Sequence, residues 1–296
     1  MSQDIDLALV ATYKSNITVK FQQMGSRLRP RVRNESQNAE FDFYDRIGPT
    51  EAVEITTRHG DTPLIETDHD RRRIQLRDFD WADLIDRRDK IRMLADPASP
   101  YTVNAVYALG RKMDRVLIDA ATGSAYAGKS GGTTTSYDSN YAIATTYNED
   151  GTSTARNLTV GKLRKSKQLL NSSEAIQDGE PVTFVFTSFQ EQALLRSTEV
   201  GSADYNTVKA LVNGEVNTFM GFTFVRTELL SKTSNTRDCL AFPQNALTLA
   251  VAADVMVDVG PRRDKRMSTQ VYVCASFGAS RMWEEAMIKC QCDESV

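Results

Sequence analysis

The sequence predicts an α+β fold, and three observations carry that prediction. A stretch from Ser99 to Gly123 has capping residues at both ends and apolar positions recurring at three and four, a second periodic stretch opens near Thr159, and the last third is a series of apolar or alternating runs separated by turn signals. With 296 residues, 41% of them apolar, the chain can bury one large core or two smaller ones, which sets disorder aside. No apolar run approaches the roughly 20 residues that span a bilayer. The opening MSQDIDLALVATYKSN puts its acids first and has no small-residue cleavage site. The expectation is a soluble protein used without export and without a membrane partner.

Residues 1–46 show no sustained period and read as an arm laid along other surfaces. Between positions 14 and 33 it carries Lys14, Lys20, Arg27, Arg29, Arg31 and Arg33 with no acid, and Phe41, Phe43 and Tyr44 then give a short alternation able to add a strand to a neighbour. EAVEITT (51–57) and RRIQLRDF (72–79) alternate around the turn-rich RHGDTPLIETDHD, the pattern of a long two-stranded excursion. DWADLIDRRDKIRML (80–94) reads as a short amphipathic helix with Trp81, Leu84, Ile85, Ile91 and Leu94 as its apolar members.

The long helix follows, with Ser99 as N-cap, Pro100 at the first helical position and Gly123 as its stop. Val103, Val106, Tyr107, Met113, Val116, Leu117 and Ala120 form its apolar stripe, and about 22 residues give a strut of roughly 33 Å. The Gly-, Ser-, Thr- and Tyr-rich stretch from Gly123 to Thr154 reads as a surface loop or hairpin. A helix from Thr159 through Leu170 ends in NSSE, PVTFVFT is a buried strand, and Ser188 with Glu191 forms a capping box opening the helix FQEQALLRS. GFTFVRTELL, LAFPQNALTLAV, DVMVDV, QVYVCASFGASRMW and EAMIKC read as strands, with turns at Asn213-Gly214 and Gly260-Pro261.

The motifs that spell chemistry lack its context. Gly123-Ser124-Ala125-Tyr126-Ala127-Gly128-Lys129-Ser130 satisfies GxxxxGK[ST], but a phosphate-binding loop must lead from a buried strand into a helix, and here a helix precedes while Gly131-Gly132-Thr133 follows. His59, Asp61, Asp68, His69 and Asp70 could ligate a divalent ion, yet Arg71, Arg72 and Arg73 come directly after and oppose a second positive charge. With both histidines in that turn, the usual general base is nearly absent. Cys239, Cys274, Cys290 and Cys292 fit unreactive thiols in a reducing compartment. The clusters Arg71–Arg73 and Pro261-Arg262-Arg263-Asp264-Lys265-Arg266 can meet phosphates or acidic neighbours without reading base sequence. The net charge of −3 is not that of a polycation. These residues point to no enzyme, cofactor or metal.

The order of segments resembles the Hong Kong 97-type fold of tailed-phage major capsid proteins. LVNGEVNTFMGFTFVRTELL resembles the small loop and G-F-x-x-hydrophobic strand of that family, and VYVCASFGASRMWEEAMIKC resembles its closing strand pair. The resemblance implies an arm at 1–46, an E-loop and short helix at 47–96, a peripheral domain with a spine helix at 97–175, an axial domain at 176–257 and return strands at 258–296. It implies a virion protein whose copies form pentamers and hexamers of an icosahedral shell around double-stranded DNA, with a separate scaffolding protein, a portal and a decoration protein as partners. Candidate inter-subunit contacts are Arg27, Arg29, Arg31, Arg33, Phe41, Phe43, Arg71, Arg72, Arg73 and Trp81. Members that weld their shells use an E-loop lysine; no lysine occurs between Lys20 and Lys90, so the shell is expected to hold by noncovalent burial. The rivals are an encapsulin-like nanocompartment and a nucleotide-binding enzyme built on Lys129.

Overall fold

The computed structural model describes residues 22–56, 58, 60–62, 64–86, 98–176, 180–196 and 218–295. They fall into two compact units, one drawn from Met1–Ser26, Arg77–Asp114 and Ala252–Phe277, the other from Arg27–Leu76, Arg115–Val251 and Gly278–Val296. The division falls inside three elements: the helix α1 (Ala98–Thr122) and the strands β13 (Leu247–Arg262) and β14 (Ser268–Arg281).

In the first unit β14 is hydrogen-bonded to β13 on one side and pairs antiparallel with β4 (Arg77–Ile85) on the other. The segment read as a helix from Asp80 is therefore strand as far as Ile85; its remainder, with Ile91 and Leu94, lies outside the described residues. Phe79, Trp81, Asp83 and Ile85 are the less exposed positions of β4, a period of two, and Trp81 sits opposite Val273. Phe79 stacks on Phe277 with ring centroids 4.6 Å apart. Gly260-Pro261 also differs from expectation: β13 continues through it to Arg262, and the turn comes after, where Arg266 and Met267 both take positive φ.

The helix α1 opens at Ala98, so Ser99 lies inside its first turn, and it stops at Thr122 as Gly123 predicts. Its buried stripe steps by four through Ala105, Leu109, Met113, Leu117 and Ala121, while Val103 faces solvent. Backbone crosses it closely at Gly110, where a Cβ would meet Gly25 at 2.6 Å. Beside that crossing Asp114 is fully buried and accepts from Gln23 Nε2 and Ser26 Oγ.

The second unit is built on a sheet ordered β7-β15-β12-β8-β10-β9, from β7 (Ala142–Ile143), β8 (Val182–Phe186), β9 (Thr218–Phe219), β10 (Phe222–Arg226), β12 (Thr236–Pro243) and β15 (Ile288–Asp293), with β11 (Lys232–Thr233) on β12. All five β8 residues are buried, as PVTFVFT predicts, and Phe184, Phe186, Phe222 and Phe224 pack ring to ring there. The final strand pairs with β12, placing Cys290 opposite Cys239. The helix α2 (Val160–Ser172) is capped by the Thr159 hydroxyl, which accepts from Lys162 N–H. The helix α3 (Ser188–Arg196) begins at the residue expected to cap it, so the cap lies one residue earlier than expected. The box is Thr187 with Gln190, whose side-chain oxygen accepts from Thr187 N–H at 3.2 Å, while Ser188 N–H donates to Glu228 and Glu191 pairs with Arg226. Asn213-Gly214 lies outside the described residues.

A smaller sheet of the same unit has the order β2-β3-β5-β6, from β2 (Phe41–Ile47), β3 (His69–Gln75), β5 (Ala125–Ala127) and β6 (Thr133–Thr135). β1 (Arg33–Ser36) runs parallel to the start of β13, with Arg33 opposite Thr248.

Candidate assembly surface

The base of the β2–β3 hairpin is fixed by a buried charge cluster. Consecutive strand residues point to opposite faces, so Arg72 turns inward between Arg71 and Arg73. It is 2% exposed and donates through one Nη2 to both carboxylate oxygens of Glu284, each at 2.7 Å. Arg281, fully buried, donates to the carbonyls of Ala121 and Gly123 at 2.9 and 2.8 Å and reaches Glu284 at 3.5 Å. Burial works against the Arg281 charge and Glu284 supports it. Arg46 of β2 lies 3.7 Å from Glu284, bonds Asp70 and the Met282 carbonyl, and stacks 4.8 Å from the Trp283 ring centroid. Burial would raise the Asp70 carboxyl, but Arg46 and the Arg71 N–H outweigh it and hold it below its ordinary value. Glu284 thus holds both strands of the hairpin to the 281–284 turn. Arg46, Arg281 and Glu284 carry no local signal of this, because the cluster is assembled from three distant parts of the chain.

The outward face of the hairpin is aromatic and cationic. Phe41 and Phe43 meet edge to face at 6.0 Å, Arg71 lies over Phe43 and bonds Asp45 at 2.9 Å, and Arg73 lies between Phe41 and Tyr126, 5.9 and 4.9 Å from their centroids. Between the strands, residues 48–68 form no strand or helix among the described residues, so EAVEITT does not supply the first strand of the excursion; β3 pairs with Phe41–Ile47 in its place. Val53, Ile55, Leu64 and Ile65 are all exposed there, Ile55 at 87% and Leu64 at 95%, as is Ile47 at the end of β2. That is a larger apolar display than scattered surface residues account for.

The structure gathers Phe41, Phe43, Arg71 and Arg73 on one face and takes Arg72 inside. Arg27 donates to the Arg226 carbonyl, Arg29 and Arg31 bracket Pro30 in a 3-10 turn, and Arg33 pairs with Glu35 at 2.6 Å. Trp81 belongs to the first unit, half-buried on β4.

The other chemical motifs resolve locally. Lys129 and Ser130 sit in the tip of the β5–β6 hairpin, where Gly128 and Gly131 take positive φ, and no helix follows to face a phosphate. His59 lies outside the described residues, and among those described no group of three His, Cys, Asp or Glu side chains is placed to hold a metal ion. Contact with Cys292 and burial push the Cys290 thiol well above the usual range, and contact with Cys239 and burial do the same to Cys292, which disfavours the reactive thiolate. Beside them Lys162 is fully buried and donates to the carbonyls of Thr145, Arg156 and Gln291 at 3.1, 2.7 and 2.9 Å. No described helix is long and apolar enough to cross a membrane.

A family described as phage capsid protein matches residues 5–294, nearly the whole chain. The chain belongs to the phage capsid protein family. It is a major capsid protein of the head shell, located in the virion, and its fold is of the Hong Kong 97 type. Among solved structures it is similar to the capsid of Ralstonia phage GP4, at 10% identity over 95% of this chain and 94% of that one, with a TM-score of 0.73. The head structure of Helicobacter pylori bacteriophage KHP40 gives 10% identity, 95% of each chain and 0.71. Mycobacterium phage Che8 gives 12% identity, 94% of this capsid protein, 95% of that chain and 0.68. At such identities these likenesses show the fold alone. No curated protein matches the capsid protein.

Proposed function

We propose that copies of this capsid protein close into pentamers and hexamers of an icosahedral shell around double-stranded DNA, and that residues 48–68 are an E-loop which each copy lays over its neighbour. The observation that carries this reading is the β2–β3 hairpin itself. Its base is anchored by Glu284, while its reach exposes Ile47, Val53, Ile55, Leu64 and Ile65 to water. A segment whose apolar side chains are left so exposed among the described residues finds its burial on another subunit. Closed rings follow from heterologous contacts of this kind repeated around an axis.

In this reading the segment ahead of β2 is the arm, α1 is the spine of the peripheral domain, and the seven-stranded sheet forms the axial domain. The shell holds noncovalently, because no lysine lies between Lys20 and Lys90. Arg29, Arg31 and Arg33 meet phosphates or scaffold without sequence preference, and the capsid protein acts through assembly, with a separate scaffolding protein, a portal and a decoration protein, and without catalysis. Replacing residues 50–66 by a short Gly-Ser link tests the reading. The unmodified chain is expected to give megadalton particles on size exclusion and in negative stain, and the shortened chain to stay folded by circular dichroism and form none. Particles at unmodified yield from the shortened chain would remove the E-loop from this role.

A further inference from the structure

A second complementary pair of surfaces meets the E-loop segment only at its first residues, through Pro49. The second unit carries a cleft of about 530 Å³ whose walls include Pro49, Pro243 and the Trp283 ring, with Glu174, Glu180 and Glu285 around them and no lysine or arginine in the lining. Trp283 is 37% exposed, and its ring is steadied by the Arg46 guanidinium. Glu180 accepts from Asn245 at 3.4 Å, and neither Glu174 nor Glu285 has an ion pair among the described residues. A fixed aromatic wall edged by unpaired like charges is a poor surface to leave in water and a good one to bury against cations.

The first unit carries the converse surface. The β13–β14 hairpin ends in Arg262-Arg263-Asp264-Lys265-Arg266-Met267, with Arg266 and Met267 both at positive φ. Arg262 is committed to Asp264, whereas Arg263, Lys265 and Arg266 have no ion pair among the described residues. Met267 is exposed beside them, and Met256, Val257 and Val259 are exposed along the strand that leads to the tip, Met256 at 62%. Three cations on an apolar tip match three glutamates on an apolar cleft. We propose that the β13–β14 tip of one copy docks in the Trp283–Glu174–Glu285 cleft of a second copy, as a contact between shell subunits. The acidic 48–68 segment, with Glu51, Glu54, Asp61, Glu66 and Asp68 against Arg58, does not suit the same cleft. The inference rests on the shell-forming reading and adds a surface to it.

Charge reversal on the full chain tests it, scoring particles by sedimentation and negative stain and folding by circular dichroism. Arg263→Glu with Arg266→Glu, and separately Glu174→Lys with Glu285→Lys, are each expected to remain folded and to give at least ten-fold fewer particles, and the four-fold swap to restore them. A site-specific arm mixes two preparations, one with Met267→Cys and one with Glu174→Cys, both in a Cys274→Ser background. Under oxidation a disulfide-linked dimer is expected only in the mixture. Normal assembly by both reversed chains, a swap as defective as its halves, or no dimer in mixed shells would each overturn the contact while leaving the shell reading intact. An unmodified chain that forms no particles would overturn both.

Discussion

Arg72 and Glu284, 212 residues apart in the chain, meet inside the second unit with one guanidinium nitrogen 2.7 Å from each carboxylate oxygen. Arg281 shares that carboxylate, so Glu284 compensates two buried cations at once and is approached by Arg46 as a third. Glu284→Gln is expected to cost about 3–5 kcal/mol, because buried guanidinium charge is left uncompensated. Arg71→Ala, which breaks the exposed pair with Asp45, is expected to cost no more than about 1 kcal/mol. Urea melts of the two variants compare them directly, and equal losses would deny the cluster its anchoring role.

Acid is expected to loosen the C-terminal end through Glu294. Burial would raise its carboxyl, but Arg237, Lys232 and Gln190 all donate to it and hold it at about 2. In the unfolded chain a glutamate titrates near its ordinary value of about 4.3. The folded state therefore gains from this group fully above about pH 5 and loses that gain as pH falls from there toward 2. Stability measured from pH 6 to 2.5 is expected to fall less steeply in Glu294→Gln, whose loss is already present at neutral pH. Parallel curves would show that the ion pairs contribute nothing to the acid response.

Lys162 closes three carbonyls that have come from separate segments. Lys162→Met keeps the aliphatic stem and removes the ammonium, so the buried oxygens of Thr145, Arg156 and Gln291 each lose a donor. With about 1–3 kcal/mol for a buried group left unsatisfied, the variant is expected to lose at least about 2 kcal/mol in thermal or urea unfolding. Lys165→Met, on the same helix but bonded only to Gln168 at its surface, is the control and is expected to be near neutral.

Gly110→Ala reverses a general rule. In an open helix the change stabilises by about 1 kcal/mol. Here the new methyl would stand 2.6 Å from the Gly25 backbone, so destabilisation is expected, together with faster amide exchange at residues 22–26 as that segment lifts from α1. A gain in Tm without faster exchange would refute the close crossing.

Lys129→Ala is expected to leave Tm unchanged, and neither the variant nor the parent chain to bind trinitrophenyl-ATP saturably. The lysine sits at a hairpin tip between two positive-φ glycines, a geometry that offers no helix N-terminus to a phosphate. Saturable binding lost in the variant would reopen the nucleotide reading.

Much of the fold was legible because its signals are local. The stop at Gly123, the periodic stretch opening near Thr159 and the apolar PVTFVFT each act within a few residues, and α1, α2 and β8 follow them closely. The failures share a cause of the opposite kind. Asp80–Ile85 satisfies a helical and a strand period equally well over so short a run, and its pairing with β14, Trp81 facing Val273, decides for strand. Thr187 and Ser188 are both good caps with a Gln or Glu three residues on, and the end of β8 selects the first. Gly260-Pro261 spells a turn, yet β13, hydrogen-bonded to β14, continues through it to Arg262.

By itself, then, the sequence determined the α+β class, the long and second helices, the buried strand and the absence of a helix behind Lys129, since each depends on composition or on neighbours a turn away, while the likeness to a capsid subunit rested on the order of its segments. Only the tertiary structure decided that Arg72 faces inward while Arg71 and Arg73 face out, that Glu284 is the counterpart of Arg72, and that β15 pairs with β12. Those outcomes depend on which distant strands share hydrogen bonds, and a one-residue change of register would turn every side chain to the other face.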